Sequence, residues 1–125
     1  MENLVKLSIV HSPFSIFHSP FSTKKMTYLI CYDISDNNLR TRLAKRLDRA
    51  GCLRLQKSVF IAPDFDARRL KILRGGIAKI LPPTLALEES LIVFPIEKDN
   101  LTHPVWAGNS SKIEKILEKA LFKIL

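Results

Sequence analysis

Asp33 is the residue in this chain with the clearest chemical promise. It is the only charged side chain in the apolar run from Thr27 to Ile34. A carboxylate is costly to bury unless it is paired, hydrogen-bonded or metal-bound. At a strand end it reads either as a turn or capping residue or as a functional group. Asp36, nearer the next helix, is the better cap, which leaves Asp33 available for chemistry. One carboxylate per chain makes a poor metal site. A two-fold dimer brings two copies together, and hard cations such as Mg²⁺ (or Mn²⁺) take oxygen ligands plus waters.

Downstream of Asp33 comes a run of bases. Arg40, Arg42, Lys45, Arg46, Arg49, Arg54 and Lys57 are accompanied by one acid, Asp48. A solvated helix usually mixes signs for i,i+4 pairing, and this one does not. The run reads either as an exposed helix face or as a surface that tracks phosphates. Arg68, Arg69, Lys71, Arg74 and Lys79 repeat the pattern, with no acid between residues 67 and 81. Aromatic residues are not interleaved, so duplex or backbone contact fits better than stacking on single-stranded bases.

Other residues offer less. Ser58 lacks the signature of an activated nucleophile. Cys31 and Cys52 have no C-x-x-C partner and read as buried, reduced thiols. His103 precedes Pro104 and reads as a loop residue. No glycine-rich phosphate loop appears. His11 and His18 lack accompanying ligands at metal spacing.

The chain has 125 residues, 46% of them hydrophobic, and a formal net charge of +8. It is too short for two ordinary domains of roughly 100–200 residues each. It is too apolar for a disordered chain, and no apolar run reaches the ~18–20 residues of a membrane span. Two cysteines do not build a disulfide framework. A basic balance favours a polyanionic partner.

Residues 1–25 read as an N-terminal extension, either disordered or an upstream start. They carry the seven-residue repeat His11-Ser12-Pro13-Phe14-Ser15 and His18-Ser19-Pro20-Phe21-Ser22. The domain proper opens at Met26 and runs to residue 108. Thr27 to Ile34 predicts a buried strand, with Tyr28, Ile30 and Tyr32 on one face and Leu29, Cys31 and Asp33 on the other. A helix follows from Asn37 to about Ala50, with Gly51 as its C-terminal stop. Cys52 to Ala62 alternates as one strand, with Leu53, Leu55, Val59 and Ile61 on one face. Pro63-Asp64-Phe65-Asp66 reads as a turn and a second cap.

A second helix, ended by Pro82-Pro83, is weakened by Gly75-Gly76. Ser90 to Phe94 is a third strand, residues 97–102 a polar linker, and Pro104 to Gly108 a short fourth strand. Ser111-Lys112-Ile113-Glu114 reads as a capping box opening a C-terminal amphipathic helix in residues 109–125. The order predicts an α+β ferredoxin-like sandwich, an antiparallel sheet with two helices on one face, although no hairpin between the helices is evident. The other face is apolar too and invites a symmetric partner.

Tyr28-Leu29-Ile30-Cys31-Tyr32-Asp33-Ile34-Ser35-Asp36, followed by a basic helix, resembles the small CRISPR-associated adaptation nuclease family. Arg54-Leu55-Gln56-Lys57-Ser58-Val59-Phe60 and Ser90-Leu91-Ile92-Val93-Phe94-Pro95-Ile96 resemble its later strands. The likeness covers about Met26 to Gly108. It implies a ferredoxin-like fold, a homodimer, a cytoplasmic setting, and metal-dependent cleavage of RNA or DNA in some members. It also implies a CRISPR integrase partner during spacer acquisition, with the dimer bridging integrase subunits and holding duplex DNA. By this resemblance Asp33 matches the aspartate that holds Mg²⁺ across the dimer axis, and Ser58 and Phe60 match positions near the site. The extension and the helix after Ser111 depart from the family pattern. A non-catalytic nucleic-acid-binding adaptor and a VapD-like ribonuclease toxin are the alternative readings.

Overall fold

The computed structural model describes residues 24–108 and 110–124. Of the segment read as an extension, only Lys24 and Lys25 fall among the described residues, so the repeat, His11 and His18 lie outside them. The elements run β1 (Met26–Asp33), α1 (Asn37–Arg49), β2 (Leu53–Gln56), β3 (Val59–Phe65), α2 (Ala67–Ile80), β4 (Ser90–Ile96), a 3₁₀ turn (Lys98–Leu101) and α3 (Ser110–Ile124). The strands form one antiparallel sheet in the order β2-β3-β1-β4. With α1 and α2 on one face, this is the predicted ferredoxin-like α+β sandwich.

Alternation along β1 sorts its side chains into two clusters. Tyr28, Ile30 and Tyr32 join Leu43 and Leu47 of α1, Leu70, Leu73 and Ile77 of α2, and Phe60 and Phe65 of β3 in the main core. Leu29 faces the other way and packs with Leu53, Leu55, Ile61, Leu101, Leu117 and Ala120. That second cluster lies beneath α3. The apolar second face is therefore covered by the chain's own C-terminal helix over β2 and β3. Among the described residues nothing covers it along β1 and β4, where Ile92 and Phe94 are 48% and 44% exposed.

Three readings of the strands are corrected. First, Cys52 to Ala62 is not one strand but the hairpin that the sequence left unclear, turning at Lys57-Ser58. That turn has neither glycine nor asparagine, the usual hairpin signal. A bulge between Arg54 and Gln56 absorbs the change of register, so Leu53, Leu55 and Ile61 still share a face. Second, Pro63-Asp64 does not end the strand. The β1–β3 pairing is irregular here, and a proline lacking an N–H is tolerated at such a bulge. Asp64 takes φ 58°, and its N–H donates to the Thr27 hydroxyl at 3.2 Å. Third, Pro104 to Gly108 forms no strand: Val105 and Trp106 remain exposed and pair with neither sheet edge.

The helix ends follow local chemistry. Asp36 caps α1 by accepting from Leu39 N–H at 3.0 Å, and Asp66 caps α2 by accepting from Arg69 N–H at 2.8 Å. After α1, Gly51 N–H donates to Asp48 O and Cys52 N–H to Leu47 O. This Schellman pattern needs the left-handed backbone that Gly51 supplies at φ 92°. Helix α3 begins at Ser110, so Ser111 lies inside the helix rather than capping it. Gly76 has a packing role, because a Cβ there would collide with the Arg46 guanidinium.

A candidate site at the end of the first strand

Asp33 is the last residue of β1, opposite Ser90 at the start of β4, and is exposed. Alternation puts it on the second face with Leu29 and Cys31. In register, Cys31 stands beside Ile92 and Leu29 beside Phe94. The carboxylate thus terminates the apolar strip that α3 leaves open. Burial pushes the Cys31 thiol pKa up, which keeps it neutral and a poor ligand for a hard cation.

The loop after Asp33 is held from three directions. Arg40 of α1 donates through Nη1 to Ile34 O at 2.8 Å and to Ser35 O at 2.9 Å, and through Nη2 to the Asn37 side chain. Across the gap, Glu89 Oε2 accepts from Ser35 N–H at 2.9 Å while Oε1 accepts from Ala86 N–H at 3.0 Å. These two donors hold the Glu89 carboxyl below its ordinary pKa. Asp36, capping α1, fixes the far end. Glu89 escaped the sequence reading because its partners are 54 residues away and three residues away, in loops without periodicity.

Behind Asp33, on the core side, Tyr32 is buried and stacks on Phe60 with ring centroids 6.3 Å apart. Tyr32 N–H donates to Ser58 O at 3.0 Å. Among the described residues its hydroxyl has no partner in hydrogen-bonding geometry. Burial pushes its pKa up, opposed by Arg54, Arg40 and Ser58. Phe60 is therefore a core residue on the opposite side of the sheet from Asp33, and Ser58 meets Tyr32 through its backbone carbonyl and, near the Tyr32 hydroxyl, its side chain. Arg54 donates to Lys57 O at 3.2 and 2.7 Å, bracing the hairpin turn, and lies 5.5 Å from the Phe60 ring centroid.

The seven bases of the expected phosphate surface thus divide. Arg40 and Arg54 are engaged with backbone carbonyls, and Arg46 lies across Gly76 between the two helices. Arg42, Lys45 and Arg49 are exposed and recur at i, i+3 and i+7, one stripe on the side of α1 away from Leu43 and Leu47. Lys57 is exposed at the hairpin turn. Helix α1 covers the first sheet face, so the stripe and Asp33 belong to opposite sides of the sheet.

Among the described residues no three His, Cys, Asp or Glu side chains converge as a metal-binding group. Asp33 offers one hard oxygen ligand per chain. A carboxylate oxygen is the donor type that Mg²⁺ and Mn²⁺ take, and one such ligand would need further oxygen ligands or waters to complete a site. Among the described residues no helix is long and apolar enough to cross a membrane.

The family model described as CRISPR associated protein Cas2 matches residues 26–103, from the first residue of β1 to just beyond the 3₁₀ turn. That span is more than half of the chain and contains the whole sheet, both core helices and the Asp33 strand end. On this match the chain belongs to the CRISPR associated protein Cas2 family.

Proposed function

We propose that the chain works as a homodimer in CRISPR spacer acquisition, bridging integrase subunits and holding duplex DNA, with metal-dependent phosphodiester cleavage of RNA or DNA at paired Asp33 residues. The observation that carries this reading is the open strip of Cys31, Ile92 and Phe94 with Asp33 at its end. Burying that strip against its own copy removes apolar surface from water and draws two carboxylates together. When bound, Mg²⁺ or Mn²⁺ supplies neutralisation of the charge that develops on the scissile phosphate. Asp33 would hold the ion. Arg40 and Glu89 keep the loop behind Asp33 in one conformation, so that little reorganisation is needed at reaction. Arg42, Lys45 and Arg49 hold phosphates at a distance from the cut.

The cleavage reading is tested with Asp33→Asn. Metal-dependent cleavage of a labelled RNA and a labelled duplex should be lost while the dimer persists in light scattering. Retained metal-dependent activity in that variant sinks the catalytic assignment. A second reading, an architectural adaptor that needs no catalysis, is favoured by the separation of the Arg42–Lys45–Arg49 stripe from Asp33 across the sheet. In that case Asp33→Asn leaves duplex binding and co-purification with the integrase intact, and spacer acquisition continues.

A further inference from the structure

At the end of the sheet opposite Asp33 lies a cavity of about 270 Å³ lined by Lys25, Gly51, Pro63, Asp64, Arg69 and Lys123. Its walls come from the lead-in to β1, the Schellman turn after α1, the bulge in β3, the first turn of α2 and the last turn of α3. Three cations and one carboxylate converge there from separate elements. Cations gathered without an equal number of anions repel one another, and a bound anion relieves that repulsion.

The pieces are arranged as a receptor. Arg69 is held in place: its guanidinium stacks 3.9 Å from the Phe65 ring centroid, and its Nη2 donates to Ala50 O at 3.1 Å. The remaining guanidinium donors lose little freedom on meeting an oxyanion. Gly51 leaves the space that Arg69 uses, since a Cβ there would stand 2.9 Å from Arg69 Nη2. Lys25 Nζ is 3.9 Å from Asp64 Oδ2. Asp64 is the one non-glycine residue with positive φ among the described residues, and such conformations concentrate at functional sites. Lys123 comes from α3, beyond the residues that match the family.

We infer that this cavity binds a phosphate group, gripped by Arg69, Lys25 and Lys123. Its volume of about 270 Å³ gives room for a tetrahedral oxyanion with its waters, and the three cations that line it match the charge of one phosphate group. The phosphate belongs either to free inorganic phosphate or to a nucleic-acid strand. At roughly 3.3 Å per strand residue, the length of β1 separates the cavity from Asp33 by more than 20 Å. The inference is therefore independent of the catalytic reading.

Calorimetric titration of the full chain with inorganic phosphate, at ionic strength held constant with chloride, tests it. Saturable binding is expected, weakened about tenfold by Lys123→Gln and by Arg69→Gln. Asp64→Asn should tighten binding several-fold, because asparagine tolerates the left-handed backbone while removing the opposing charge. A duplex titrated in parallel separates the two sources. A salt slope reduced by about 0.9 in Lys123→Gln assigns the phosphate to a nucleic-acid backbone. An unchanged slope with weaker inorganic phosphate binding assigns it to the free ion. Absence of phosphate binding beyond chloride, together with an unchanged duplex slope, overturns the inference. So does equal affinity in wild type, Lys123→Gln and Asp64→Asn.

Discussion

If duplex DNA is held by α1, the bases that hold it are those left exposed and unengaged among the described residues. Arg42, Lys45 and Arg49 form that set on one stripe, whereas Arg40 is bonded to Ile34 O and Ser35 O and Arg46 lies over Gly76. Each phosphate neutralised on duplex DNA contributes about −0.9 to the slope of log K against log salt. Replacing all three stripe residues by glutamine should therefore reduce the slope by about 2.7 per protomer engaged. Between roughly 50 and 200 mM salt, the wild type should lose about 40-fold more affinity than the triple variant for this reason alone. A single change at Arg42 should account for about three- to four-fold, and Arg46→Gln for less. Fluorescence anisotropy of a labelled duplex across that salt range measures the slopes. The reasoning fails if the triple variant keeps the wild-type slope, or if Arg46→Gln flattens it as much as Arg42→Gln does.

Three further outcomes follow from particular contacts. Gly75 is exposed, and beyond its chain neighbours and its own helix backbone no described heavy atom lies within 4 Å of where its Cβ would stand, so Gly75→Ala should stabilise the fold by about 1 kcal/mol. In thermal denaturation Gly76→Ala should gain less, because Arg46 would have to move; equal gains would contradict the packing assigned to Gly76. Tyr32→Phe removes a buried hydroxyl that lacks a partner among the described residues, so unfolding in denaturant should show a neutral or stabilising change of up to about 1 kcal/mol. The Glu89 carboxyl has a folded pKa below its ordinary 4.5, so its stabilising effect is fully present above that value. That effect is lost as pH falls through the lower, folded value. The stability gap between wild type and Glu89→Ala should be constant at neutral pH and close on acidification, and a gap that widens on acidification would reverse the assignment.

Much of the architecture was legible because it rests on period and capping. The alternation of β1 foretold which residues face α1 and α2, and Asp36 and Asp66 announced the helix starts. The hairpin was hidden because Lys57-Ser58 is an unremarkable dipeptide whose turn is braced by the Arg54 guanidinium, a contact no local pattern reveals. The bulge at Pro63-Asp64 was hidden because the same residues favour turns, and the hydroxyl of Thr27 that receives the Asp64 N–H is 37 residues away. At the candidate site, Asp33 stood out as a lone charge in an apolar run. Its supports did not, because Glu89 and Arg40 act on backbone groups through tertiary contacts. The base count alone does not say which guanidinium already has a partner, as Arg40 and Arg54 do in backbone carbonyls.

The pairing of Asp33 across two copies is the claim on which the catalytic account rests. Manganese titrated into the purified full chain, followed by calorimetry with oligomeric state measured in parallel, reads it without depending on turnover. The account predicts one bound ion per two chains, abolished in Asp33→Asn with the dimer unchanged. Binding of the same stoichiometry and affinity in Asp33→Asn would contradict it.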